Sequence, residues 1–184
     1  MRETSFRFKI ITAGDGGVGK TTLLRRYIDG SFSFDSKMTV GVDIFLKMIT
    51  LDDDIVCSLQ LWDLGGQEMF RIMLDSFASG ADGAFLMYDL TNHSSFDNLL
   101  EWLAIARKED KNRPILLLGA KSDLKDSIVV DDEVALEFVK KYNLNGFYKT
   151  SSKTNYNVSE AFEDLTTIIL NYKGLIAESK SVET

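Results

Sequence analysis

The sequence is short of cysteine and of positive charge, and it has no long apolar run. Its 184 residues include one cysteine, and 28 acidic residues outnumber 21 basic ones, for a formal net charge of -7. The single cysteine, Cys57, cannot form an internal disulfide, which indicates a reducing, cytoplasmic compartment. The acidic excess argues against nucleic acid as a partner, because nucleic-acid binding needs a basic stripe. No apolar run reaches the length of a membrane span.

Both ends of the sequence lack the usual targeting and anchoring signals. The amino end has neither the apolar core of a signal peptide nor the glycine that myristoylation needs. The tail at 176–184 is polar, has no acceptor cysteine for a lipid and contains no polybasic cluster. Either the natural chain continues beyond this tail or the protein has no lipid anchor. With 45% apolar residues, the length predicts one domain over 1–175, followed by the short tail.

Residues 14–21 fit the phosphate-binding loop pattern G-x-x-x-x-G-K-[ST] at every fixed position. The glycines allow positive φ and bring successive N–H groups around one phosphate. Lys20 adds positive charge for the β and γ phosphates, and the Thr21 hydroxyl is a suitable Mg²⁺ ligand. A β-rich run precedes the loop and a helical pattern follows it, which is the setting in which this motif binds anions. The alternative is a glycine-rich turn that binds nothing. The residues predicted to contact the phosphates are Asp15, Gly16, Gly17, Val18, Gly19, Lys20, Thr21 and Thr22.

Alternating strand and helix patterns predict a three-layer α/β fold with a mostly parallel sheet. Residues 43–51 and 55–62 alternate apolar and polar side chains, which predicts a hairpin. Apolar runs at 83–89 and 115–118 are typical of central strands that are buried on both faces. Two further short strands are predicted at 6–13 and 146–150, and helices at 22–29, 69–79, 96–110, 131–142 and 158–173. The expected fold is therefore a six-stranded sheet with one antiparallel strand and about five helices.

Two aspartates follow predicted strands of this sheet. Asp63 ends the second strand of the hairpin, and Asp123 comes shortly after the strand at 115–118. Doubly wound sheets bind ligands at the carboxyl ends of their strands, so both carboxylates are candidate site residues. Each could instead be a capping residue. Thr39, in a polar loop, is by itself an ordinary loop threonine.

Taken together, these motifs resemble the Ras superfamily of small GTPases over nearly the whole chain, which implies the P-loop NTPase fold of small G proteins. The matching segments occur in the order of that family, at 14–21, Thr39, 63–67, 121–123 and 151–153. Within the superfamily, residues 39–43, 59–63 and 88–91 are most similar to Rab proteins. Leu64 and Gly65 are more similar to the Arf and archaeal types, so the branch stays open.

The resemblance implies binding of GDP and GTP with Mg²⁺ and hydrolysis of GTP to GDP at a slow intrinsic rate. Thr21 and Thr39 would bind the Mg²⁺ ion, with Asp63 holding it through water. Thr39 and the N–H group of Gly66 would contact the γ-phosphate, so loss of that phosphate would release both segments. Gln67 would be the catalytic residue, because it would orient the attacking water.

The resemblance also implies a guanine site. Phe32 would stack on the base, with the Lys121 stem on its other face, and Asp123 would accept hydrogen bonds from the guanine N1–H and amine. The implied base-binding residues are Phe32, Lys121, Asp123, Ser151, Ser152 and Lys153. Family members usually have asparagine where this chain has Ala120, and that amide bridges the base to the phosphate loop.

Three functions are compatible with these motifs. The first is a GTP-hydrolysing molecular switch that works through loops around Thr39 and 66–71, with effectors, an exchange factor and an activating protein as partners. The second is a GTP-binding interaction module with little hydrolysis. Gln67, and Gly16 in place of a larger residue that would crowd it, favour the first. The third is a phosphotransferase, which would need an arginine-rich lid, and the arginines here are scattered.

Overall fold

The computed structural model describes residues 4–33, 39–51, 55–66 and 71–176. The predicted turn at 52–54 and nearly all of the predicted tail lie outside the described residues. The strands are β1 (Thr4–Ala13), β2 (Val42–Leu51), β3 (Ile55–Leu64), β4 (Gly83–Asp89), β5 (Ile115–Ala120) and β6 (Gly146–Lys149). The helices are α1 (Lys20–Asp29), α2 (Arg71–Ala78), α3 (His93–Asp97), α4 (Leu99–Ala106), α5 (Asp132–Lys141) and α6 (Val158–Tyr172).

The strands form one six-stranded sheet in the order β2-β3-β1-β4-β5-β6. β2 pairs with β3 in antiparallel orientation, and the four other strand pairs are parallel. This arrangement confirms the predicted sheet and places the hairpin at one edge. The carboxyl ends of β1, β3, β4, β5 and β6 therefore lie along the same edge of the sheet.

Helices cover both faces of the sheet and create two apolar clusters. α1 and α6 pack on the face that carries Phe8 and Ile10, whereas α2, α3, α4 and α5 pack on the face that carries Ile11 and Ala13. Successive side chains of a strand point to opposite faces, so adjacent residues of β1 enter different clusters. β4 and β5 are buried along their whole length, as their apolar runs predicted. Cys57 is buried as well, and this burial raises the pKa of its thiol.

The helix predicted over 96–110 is wrong in its bounds, because the structure has two consecutive segments there. α3 begins at His93, where the side chain of Asn92 accepts a hydrogen bond from the backbone N–H of Ser94, 3.1 Å away. α4 ends at Ala106, whose carbonyl accepts a hydrogen bond from the buried Arg113 guanidinium. Counted as one region, α3 and α4 bring the helical regions of the described residues to the predicted five.

Each of the remaining bounds lies within two residues of its prediction. α1 begins two residues earlier than predicted, because its first turn belongs to the phosphate-binding motif itself. Among the described residues, the structure contains no helix with the length and apolar character needed to cross a lipid bilayer.

Candidate nucleotide-binding site

A cavity of about 350 Å³ opens at the carboxyl edge of the sheet. Its size falls at the lower end of the range for small-ligand pockets. It is lined by Gly16, Gly17, Val18, Gly19, Lys20, Thr21, Thr22, Phe32, Ser33, Thr39, Gly66, Ala120, Lys121, Asp123, Leu124, Ser152 and Lys153. Of the predicted site residues, Asp15, Asp63 and Ser151 lie beside the cavity without lining it, and Gln67 lies outside the described residues. Ser33, Ala120 and Leu124 line it although the motifs did not single them out as ligand contacts.

The phosphate loop joins β1 to α1, and two of its carbonyls accept hydrogen bonds from its own lysine. Gly17 and Gly19 have φ angles of 78° and 107°, in the left-handed region that glycine adopts at little cost. The Lys20 Nζ donates hydrogen bonds to the carbonyls of Gly14 at 2.7 Å and Asp15 at 2.8 Å. Burial lowers the pKa of Lys20 to about 8, while the nearby carboxylates of Asp63 and Asp15 act in the opposite direction. The loop thus holds a largely buried ammonium group next to the cavity.

Three oxygen atoms from distant parts of the chain meet beside the loop. The Thr21 and Thr39 hydroxyl oxygens are 2.6 Å apart, and Thr21 donates a hydrogen bond to the Asp63 carboxylate. The Thr39 hydroxyl lies 3.3 Å from the same carboxylate oxygen. Burial raises the pKa of Asp63, and the Thr21 hydroxyl and the Lys20 charge partly offset this effect. These donors are all hard oxygen ligands of the kind that Mg²⁺ prefers.

The backbone segments around these oxygens approach one another closely. The N–H of Gly65 donates to the Gly41 carbonyl at 2.9 Å. A β-carbon on Gly66 would lie 2.7 Å from the Asp15 carbonyl oxygen, and one on Gly65 would lie 2.8 Å from that of Thr39. Only glycine fits in such contacts, so the 65–66 segment packs directly against both the phosphate loop and the segment that carries Thr39.

The opposite end of the cavity is built from the loops after β5 and β6. The Ser151 hydroxyl donates to the Asp123 carboxylate at 2.6 Å. Lys121 reaches back to the phosphate loop, where its Nζ lies 3.0 Å from the Gly17 carbonyl and 2.6 Å from the Asp89 carboxylate. The contact between Lys121 and Gly17 therefore joins the two ends of the cavity. Ala120 has no side-chain amide that could make this connection.

The chain matches a model of a known protein family over most of its length. The Ras family model matches residues 9–171. The chain belongs to the Ras family.

Relatives of this Ras family protein have Rab-type names. This chain is 38% identical to the Ras-related protein RABA1c of Arabidopsis thaliana over 97% of this chain and 84% of the relative. It is 38% identical to the GTP-binding protein ypt3 of Schizosaccharomyces pombe over 98% of this chain and 82% of the relative. It is 40% identical to the Ras-related protein Rab-1D of Dictyostelium discoideum over 96% of this chain and 86% of the relative. The protein is a Rab-like small GTPase, in agreement with the similarity of residues 39–43, 59–63 and 88–91 to Rab proteins.

Asp15 of this small GTPase occupies the phosphate loop but directs its carboxylate to α4. Its two oxygens accept hydrogen bonds from the Asn98 amide and the Trp102 indole N–H, each at 2.7 Å. Asp15 was predicted to contact the nucleotide, but its side chain contacts Asn98 and Trp102 instead. Nothing in the sequence linked residues 83 and 87 positions apart. Asp89 was also missed, although it ends the apolar run of β4 and so carries the same strand-end signal as Asp63.

Asp15→Ala should weaken nucleotide binding by this GTPase, because it removes the acceptor that holds the phosphate loop against α4. Hydrogen bonds to a charged group contribute about 1.5 to 3 kcal/mol each, so a loss of roughly tenfold in GDP affinity is expected from an indirect effect. Titration with a fluorescent GDP analogue measures it. Asp97→Ala, which removes an exposed carboxylate on α3, is the matched control. Equal affinities for the two variants would contradict this role.

Proposed function

We propose that this small GTPase is a molecular switch that binds GDP and GTP with Mg²⁺ and hydrolyses GTP slowly. The observation that supports the proposal best is that one cavity joins three features. These are the phosphate loop, the oxygens of Thr21, Thr39 and Asp63, and the Asp123–Ser151 pair. A magnesium-bound nucleoside phosphate has matching groups in the same linear order, with phosphates at one end and a base at the other.

Asp123 would select guanine. Its carboxylate is positioned by the Ser151 hydroxyl, and the Ser151 backbone is in turn fixed by paired hydrogen bonds with Tyr156. A carboxylate accepts hydrogen bonds only, so it suits the adjacent N1–H and amine donors of guanine. Adenine does not offer both donors. Phe32 and the Lys121 stem line the same end of the cavity and would contact the two faces of the base.

Asp123→Asn should reduce GDP affinity and improve binding of xanthosine diphosphate. Xanthine presents a carbonyl where guanine presents its amine, so the new amide can donate to it. A mispaired buried polar group costs about 1 to 3 kcal/mol, or roughly 5- to 150-fold in affinity. Competition between the two diphosphates measures the preference.

Asp126→Asn is the control for this experiment, because Asp126 is an exposed carboxylate in the same loop region. The control should keep the preference for GDP. An Asp123→Asn variant that still prefers GDP would show that Asp123 does not contact the base.

Thr21, Thr39 and Asp63 would hold the Mg²⁺ ion. In the described part of the chain no cluster of three or more histidine, cysteine, aspartate or glutamate side chains could hold a metal by itself. This suits Mg²⁺, which is usually bound by one or two carboxylates together with substrate phosphates. The ion would supply positive charge to the β and γ phosphates as negative charge develops during hydrolysis.

The switch would lie in the contacts between the segments at 39–41 and 65–66. Both line or adjoin the phosphate end of the cavity, and the Gly65–Gly41 hydrogen bond ties one to the other. If the Thr39 hydroxyl and the Gly66 N–H bind the γ-phosphate, its loss removes a shared anchor from both segments. Effectors, exchange factors and activating proteins would recognise the two resulting states.

Slow hydrolysis is proposed because no described residue of the cavity can serve as an arginine finger. No arginine lines the described part of the cavity, and in related nucleotide hydrolases an arginine accelerates the chemical step strongly. Gln67 would orient the attacking water, since it directly follows Gly66, which lines the phosphate end.

Gln67→Leu should slow GTP hydrolysis and leave nucleotide binding nearly unchanged. Positioning of the water contributes to the transition state and little to ground-state binding, so the rate should fall at least roughly tenfold while the affinity changes less than about twofold. Single-turnover assays with bound GTP measure the rate, and titration measures the affinity. If the unmodified protein hydrolyses GTP no faster than the variant, the alternative function applies, which is an interaction module with little hydrolysis.

A further inference from the structure

Arg26 of α1 joins three separate parts of the structure through one guanidinium group. Its Nε and Nη2 atoms donate to the carbonyls of Ser152 at 2.5 Å and Lys153 at 3.1 Å, in the loop after β6. Its Nη1 atom donates to the Gly30 carbonyl at 2.5 Å, at the end of α1. The guanidinium carbon also lies 5.8 Å from the centre of the Phe32 ring, which is within the range of a cation–π contact.

Three of the four partners of Arg26 belong to the base end of the cavity, whereas Arg26 itself does not line it. Phe32, Ser152 and Lys153 all line the cavity, and the residue before Ser152 donates to the Asp123 carboxylate. The loop after β6 and the segment that carries Phe32 are far apart in sequence. The Arg26 side chain contacts both of them, through its hydrogen bonds to Ser152 and Lys153 and its position beside the Phe32 ring.

We infer that Arg26 is a positioning residue that controls how fast the nucleotide leaves the base end of the cavity. This inference rests on the proposed function, in which Phe32 and the loop after β6 surround the guanine. A base that is covered by Phe32 leaves when either this ring or the loop moves away. Arg26 joins both to helix α1, so its loss removes one contact that restrains each of them.

Arginine is suited to this role in a way that lysine is not. Its planar group has five N–H donors in a fixed fork and can serve several carbonyls at the same time. A lysine has a single ammonium group on a flexible stem and cannot reproduce the three hydrogen bonds together. The neighbouring Arg25 is exposed and provides a natural control on the same helix.

The inference is tested by measuring release of a fluorescent GDP analogue after addition of excess unlabelled GDP. We expect about tenfold faster release from Arg26→Ala, an intermediate rate from Arg26→Lys, and a rate within about twofold of the unmodified protein from Arg25→Ala. Phe32→Ala should also accelerate release. In the double variant with Arg26→Ala and Phe32→Ala, the increase in release rate should be smaller than the product of the two single increases. Both substitutions act on the same ring, so their effects should not be independent.

A second measurement separates positioning from a loss of general stability. Single-turnover GTP hydrolysis by Arg26→Ala should stay within about twofold of the unmodified rate, because the phosphate end of the cavity is untouched. Release from Arg26→Ala at the rate of the Arg25→Ala control would overturn the inference. Faster release that comes with a similar fold loss in hydrolysis rate and a lowered thermal midpoint would also overturn it, because that pattern indicates a general loss of stability.

Two remaining outcomes are also decisive. If Arg26→Ala does not fold, Arg26→Lys carries the test, and release from it at the unmodified rate would overturn the inference. If the unmodified protein does not bind the GDP analogue at all, the proposed function itself fails. A protein that binds GDP tightly but is insensitive to the Arg26 variants leaves the proposed function standing and removes only the role of Arg26.

Discussion

The buried carboxylate of Asp63 is the interaction on which the site depends. It lies at the end of β3, where the surrounding sheet leaves it no exposure to water. A buried charge costs several kcal/mol unless polar groups and opposite charges surround it. Here the Thr21 hydroxyl donates to the carboxylate, the Thr39 hydroxyl lies near it, and the charge of Lys20 is close by. The need to satisfy one charge thus draws together α1, β3 and the loop before β2.

Polar contacts also connect the other loops at the carboxyl ends of the strands. The parallel order of the strands places the loops after β1, β3, β5 and β6 side by side, and each loop supplies polar groups to one cavity. Hydrogen bonds then connect neighbouring loops, as between Lys121 and Gly17 and between Ser151 and Asp123. The apolar clusters on both faces fix the strands, so the loop positions are set by the core rather than by the loops themselves.

Much of the fold could be predicted because its signals are local. The apolar runs of β4 and β5, the hairpin of β2 and β3, and the loop at 14–21 each have patterns that a short window of sequence contains. The five helical regions were predicted for the same reason. The end of α4 was not predicted. The helix ends where the Ala106 carbonyl accepts a hydrogen bond from the Arg113 side chain, and this contact leaves no repeating pattern in the sequence.

The site was predictable in its motifs and less so in its supports. The lining residues of the phosphate loop and Asp123 have recognisable spacing, whereas the contacts of Asp15 with Trp102 and of Arg26 with Ser152 join positions far apart in sequence. Trp102 is fully buried on α4, and no pattern in the sequence indicated its hydrogen bond to the loop. Only folding brings such pairs together.

The central claim is that this cavity holds one guanine nucleotide. The most direct measurement is the identity and amount of nucleotide released when the purified protein is denatured, determined by chromatography against standards. We expect close to one molecule of GDP or GTP per chain, since a cavity lined by a complete phosphate loop should retain its ligand through purification. Adenine nucleotide in place of guanine, or a folded protein that binds neither after addition of guanine nucleotide and Mg²⁺, would contradict it.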